Sequence, residues 1–191
     1  MSISLVKGGN LSLTKAAPDL GAITMGLGWD ARTTTGVKFD LDASALGVGE
    51  NGKVLSDQYF IFFNQKTSPE GAIEHRGDNR DGEGGGDDEV ITVDLGRLPA
   101  EAHALVFTVN SFRGQKFTDV RNAYCRLLDL ESGAELVRYD LTESERSTGV
   151  IMSVLVRSGP AWDMTAIGEF HDGKTARAMY EPAERVVRTL V

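Results

Sequence analysis

Gly77-Asp78-Asn79-Arg80-Asp81-Gly82-Glu83-Gly84-Gly85-Gly86-Asp87-Asp88-Glu89 runs directly into Val90-Ile91-Thr92-Val93-Asp94-Leu95, and Ala72-Ile73-Glu74-His75-Arg76 precedes it. Both flanks are too short for a typical helix, and the second alternates apolar with polar residues at the period of a half-buried strand. The stretch between them is therefore a loop strung between two strands. Six of its residues are carboxylates against a single cation, Arg80. Like charges held a few ångströms apart repel and are costly to desolvate, so the loop must be hydrated, paired or bridged by a cation. Its glycines let the backbone fold sharply and aim several oxygens at one point. Oxygen ligands in a flexible loop suit a hard cation such as calcium.

Working outward, residues 23–29 repeat that alternation, and further short runs follow along the chain. Residues 23–29, 105–109, 123–130, 134–141, 150–156 and 161–170 read as strands, the last two forming a hairpin around Ser158-Gly159-Pro160. Residues 2–6 and 10–14, either side of Gly8-Gly9, read as a hairpin or a bent edge strand. Within Val37-Lys38-Phe39-Asp40-Leu41-Asp42, the apolar Val37, Phe39 and Leu41 share one strand face and Asp40 and Asp42 the other. Tyr59-Phe60-Ile61-Phe62-Phe63, ending at Asn64, reads as a central strand because it is short and strongly aromatic. Pro99 predicts one helical turn over 99–103. Residues 175–190 form the best helix candidate, which Pro182 is expected to interrupt. About a dozen short strands without long helical repeats predict an all-β fold, an antiparallel β-sandwich with a few short helices, as one domain over residues 1–191.

The charge balance bears on partners. A formal net charge of -8 in 191 residues argues against nucleic-acid binding, which needs a basic face. Most of the acid excess belongs to the loop. The single cysteine, Cys125, excludes an intramolecular disulfide, and its strand context predicts a small buried thiol. No stretch approaches the roughly 18 apolar residues of a membrane span, so a soluble, cytoplasmic protein without membrane insertion is expected.

Other patterns fail on context. Gly47-Val48-Gly49-Glu50-Asn51-Gly52-Lys53-Val54 follows the phosphate-binding loop pattern up to its lysine, but Val54 stands where Ser or Thr would reach magnesium, and a strand follows. A hairpin turn accounts for it. Asp40-Leu41-Asp42 has the form of the nucleophile motif of haloacid-dehalogenase-type phosphatases, which requires a parallel doubly wound sheet that this pattern lacks. Started at Asp78, the acidic loop puts Arg80 and Gly82 where an EF-hand needs ligands. His75, His103 and His171 show no metal-ligand spacing and read as surface or structural residues. Trp29 and Trp162 read as packing residues at strand ends.

Gly28-Trp29-Asp30, Phe39-Asp40-Leu41-Asp42-Ala43-Ser44-Ala45, Phe62-Phe63-Asn64, Ser68-Pro69, His75-Arg76-Gly77-Asp78-Asn79, and Gly82-Glu83-Gly84 leading to Gly86-Asp87-Asp88-Glu89 resemble, in order, the TerD family of tellurite-resistance and stress-response proteins. The likeness continues through Val120-Arg121-Asn122-Ala123-Tyr124 to Trp162. It implies a β-sandwich holding one or two Ca2+ ions between loops, no established catalytic activity, and a role beside other tellurium-resistance proteins, some membrane-bound. By that likeness Asp40, Asp42, Asn64, Asp78, Asn79, Glu83, Asp87, Asp88 and Glu89 are the candidate calcium ligands. Asp81 and Gly85 depart from the residues common in the family. Two rival functions use the same acids or the other sheet face: a magnesium-dependent phosphohydrolase, and a nucleotide- or small-molecule-binding module.

Overall fold

The structure is a computed structural model that describes residues 2–31, 40–77, 86–111, 114–141, 145–173 and 175–190. Twelve strands lie among them: β1 (Ile3–Leu5), β2 (Asn10–Ser12), β3 (Ala22–Ala31), β4 (Leu41–Val48), β5 (Phe60–Ile61), β6 (Ile73–His75), β7 (Glu89–Asp94), β8 (Ala104–Ser111), β9 (Val120–Asp129), β10 (Glu135–Asp140), β11 (Gly149–Ser158) and β12 (Ala161–His171). Two helices join them, α1 (Leu13–Ala16) and α2 (Tyr180–Leu190). The strands form two six-stranded sheets, ordered β1-β10-β9-β3-β7-β6 and β2-β12-β11-β8-β4-β5. Every described pairing is antiparallel except that of β1 with β10.

Strand alternation sorts the side chains into layers. From β4, Leu41, Ala43 and Ala45 enter the core between the sheets, as do Leu105, Phe107 and Val109 from β8. The opposite faces of the same strands supply Leu46, Val48, Ala104 and Val106 to a second apolar cluster, which Met179 and the α2 residues Ala183, Val186 and Val187 cover. The second sheet is thus apolar on both sides where α2 lies. Towards the far end of β4 and β8, that outer face turns polar. Asp42 stands opposite Asn110 and Ser44 opposite Thr108, and the two hydroxyls are hydrogen bonded at 2.7 Å.

Several expectations need correcting. Residues 59–63 do not form a central strand. Tyr59 ends a 3-10 turn (Asp57–Tyr59) whose start the Ser56 side chain caps, only Phe60 and Ile61 pair, and a Phe62 to Gln65 bridge turns the chain back. The resulting β5 is an edge strand, and its aromatic character serves packing: Phe60 stacks on Phe62 at 4.5 Å and meets Tyr180 edge-on. Residues 99–103 make a single turn, closed by Ala102 N–H donating to the Pro99 carbonyl. Pro182 does not interrupt the C-terminal helix. It sits in the first turn of α2, where a backbone N–H has no helical acceptor to lose, and a 3-10 turn (Ala176–Met179) precedes it.

At the N-terminus the bent-strand reading is the one realised. β1 joins one sheet and β2 the other, with Gly8 at φ 78° making the corner. The 47–54 stretch is a hairpin turn, with Val48 bridged to Val54 and Gly52 at φ 69°. Trp29, Trp162 and Cys125 are buried in the core.

Candidate functional site

Six of the nine candidate ligands lie within the described residues; Asp78, Asn79 and Glu83 fall outside them. Asp40 and Asp42 flank the start of β4 and are only 8% and 6% exposed. Asp42 and Asn64 line one cavity of about 490 Å³ on the outer face of the second sheet. These two residues come from segments separated by the whole of the β4–β5 connection, so the fold brings them together.

The three acids that end the loop are each built into the frame. Asp87 Oδ1 accepts from Arg126 Nε at 2.8 Å and from the Tyr124 hydroxyl at 2.9 Å. Burial, and then the hydrogen bond to Asp87, push the Tyr124 phenol up to about 12. The same carboxylate holds the Arg126 guanidinium protonated beyond its ordinary range. Asp87 can lie this close to β3 because Gly26 has no side chain: a Cβ there would come within 2.0 Å of Asp87 Oδ2. Asp88 Oδ2 accepts from the Trp29 backbone N–H at 2.8 Å, and the Asp88 N–H donates to the Leu27 carbonyl. The C-terminal end of the acidic loop is therefore fastened along β3 and β9.

Glu89 is 1% exposed and points between the sheets. Only Ala45 and Leu46 of β4 pair with β5, which leaves the Ala43 N–H at an uncovered edge; Glu89 Oε2 accepts that hydrogen bond from across the sandwich. The same oxygen lies 3.3 Å from His75 Nε2, and His75 is 2% exposed. Sequence reasoning grouped His75 with two scattered histidines and missed this buried pair. The signal was available: on β6, His75 shares its strand face with Ile73, a core residue.

Asp42 and Asn64, which line the same cavity, offer it oxygen donors, the chemistry of a hard cation. Among the described residues, no three His, Cys, Asp or Glu side chains converge in a metal-holding group. The Asp-x-Asp motif lies on β4 between the antiparallel β5 and β8, so the parallel strand setting of the dehalogenase-type phosphatases does not exist here. Among the described residues, no helix is long and apolar enough to cross a membrane.

The fold and site together define a two-sheet β-sandwich carrying an acidic segment whose C-terminal end is fastened along β3 and β9. Residues 1–179 match the TerD domain, and the chain belongs to that family. It is 45% identical over 181 residues to "Tellurium resistance protein TerD" of Serratia marcescens, a match spanning 92% of this chain and 94% of the relative. "General stress protein 16U" of Bacillus subtilis (strain 168) is 39% identical over 183 residues, spanning 93% of this chain and 95% of its own length. In three dimensions the chain is similar to a homologue of telluride resistance protein (TerD) from Streptomyces coelicolor A3(2), with TM-score 0.72 and 22% identity over 86% of this chain and 98% of that one. This protein is therefore a member of a tellurium-resistance and stress-response family with the β-sandwich fold.

Proposed function

We propose that this chain is a non-enzymatic calcium-binding protein that acts in the cytoplasm beside other tellurium-resistance proteins, some of them membrane-bound. The observation that carries the reading is the burial of Asp40 and Asp42 at the start of β4, with Asn64 facing the same cavity as Asp42. Carboxylate and amide oxygens are hard donors, the kind that a calcium shell uses. Asp40, Asp42 and Asn64 would hold the ion together with Asp78, Asn79 and Glu83. Bound calcium would offset the repulsion within the loop, so metal affinity would add to folding free energy. A loop ordered in this way could present a metal-dependent surface to a partner.

Calorimetric titration of the chelated protein tests this. Calcium is expected to bind in preference to magnesium and to raise the melting temperature, and Asp40→Ala/Asp42→Ala is expected to lose most of both effects. Equal calcium binding by the double variant would remove these two residues from the shell. No calcium binding by the wild type would end the proposal.

A further inference from the structure

The cavity that Asp42 and Asn64 line is much larger than an ion requires, and its other groups have a chemistry of their own. Phe60, Phe62 and Phe63 line it, with Phe60 and Phe62 stacked at an interplanar angle of 16°. Asn110 of β8 also lines it, is 1% exposed, and among the described residues has no hydrogen-bond partner at either Oδ1 or Nδ2. Leaving both ends of a buried amide unpaired is destabilising, so such a residue asks for an explanation.

The neighbouring strands explain why the protein itself leaves these atoms unmatched. On one side Asn110 pairs with Asp42, and on the other with Gly149, which has no side chain. A Cβ on Gly149 would come within 2.7 Å of Asn110 Nδ2 and 2.9 Å of the Met179 sulfur, so a larger residue could not be added there without displacing them. Asp57 and Arg177, which also line the cavity, are occupied with each other through contacts of 2.8 and 3.0 Å. Gln65 Nε2 is taken by the carbonyls of Asp57 and Phe60.

We infer that this cavity binds a small planar aromatic molecule carrying a carboxamide or cyclic-amide edge, with the edge paired to Asn110 and the ring against the phenylalanines. Asn110 offers one acceptor and one pair of donor hydrogens in a plane, the complement of another amide. The volume of about 490 Å³ falls in the range of small-molecule sites, which are largely apolar with a few placed polar groups. An anion would meet the Asp42 carboxylate. A simple ammonium would suit Asp42 but leave Asn110 Nδ2 unanswered. The inference does not rest on the calcium reading, because neither Asn110 nor the phenylalanines belong to that shell.

The test titrates the full-length protein in calcium-free, chelator-containing buffer with nicotinamide and benzamide against their carboxylate counterparts, nicotinate and benzoate, followed by protein NMR. The amides should shift cavity resonances saturably, and the carboxylates should bind at least roughly tenfold more weakly. Asn110→Leu should weaken amide binding by roughly tenfold, the scale of two lost hydrogen bonds. Phe62→Ala, a change at a partly exposed wall residue, should weaken it by a similar factor and carries the test if the first variant does not fold. No saturable binding, equal affinity for acid and amide, or unchanged affinity in the variant that carries the test would each overturn the inference.

Discussion

Asp87 shows how much a single position can depend on what is missing from another. Its carboxylate rests over Gly26, takes hydrogen bonds from Tyr124 and Arg126, and is 9% exposed in its side chain. Charge-assisted bonds of this kind contribute about 1.5 to 3 kcal/mol. Gly26→Ala would put a methyl group where the carboxylate lies, without straining the backbone, since Gly26 is not among the positive-φ glycines. The expected cost is about 1 to 3 kcal/mol of stability. A double-mutant cycle checks the cause: Asp87→Ala should cost much less in the Gly26→Ala background than in the wild type, whereas additive costs would show that Gly26 acts elsewhere. The residue pattern announced Asp87 as a member of an acidic loop. It could not announce Arg126 and Tyr124 as its partners, because those contacts join positions nearly forty residues apart on different strands.

At the scale of elements, strands were legible and their ranks were not. Alternation located β3 and β7, which turn alternate residues to the core, whereas β4 and β8 are buried along both faces, and β8 shows as a short apolar run. The aromatic run at 59–63 carries no such information about sheet position, since apolar density marks burial and not centrality. Its burial comes largely from the cluster that the C-terminal segment covers, a long-range contact invisible to local patterns. That cover can be tested directly. Met179 is fully buried in the outer cluster, whereas Leu190, near the end of α2, is 37% exposed. Met179→Ala should destabilise the protein by about 2 to 5 kcal/mol through transfer and cavity terms. Leu190→Ala should stay within about 0.5 kcal/mol. Chemical denaturation of both variants separates the cases; equal small losses would mean that the segment only rests on the sheet.

For the whole molecule, the β-sandwich followed from the number and shortness of the strands, and the candidate site from two carboxylates on one face of β4 and an acidic loop. The dependence on uncharged side chains that are buried or half-buried did not follow, because desolvation is a property of the assembled molecule. Burial pushes the Cys125 thiol up to about 12, with a smaller opposing effect from the Ser153 hydroxyl. Burial first, then the bond to Glu70, does the same for Tyr59, and burial with the nearby Asp57 charge for Tyr180, both up to about 12. Tyr124 behaves alike. In each case the folded value lies above that of the unfolded chain, about 10 for tyrosine and 8.5 for cysteine. The unfolded state therefore loses its protons first as pH rises. The stability that these groups contribute is fully present below about pH 8.5 and is lost progressively towards pH 12. Melting temperature should accordingly fall through that window, and Cys125→Ala should delay the start of the fall by about 1.5 pH units, since the tyrosines then begin the loss. Absorbance at the phenolate band should rise together with unfolding, not before it. A melting temperature that stays level to pH 11 while phenolate forms would show that these side chains ionise within the folded sandwich, and that its layers admit charge at little cost.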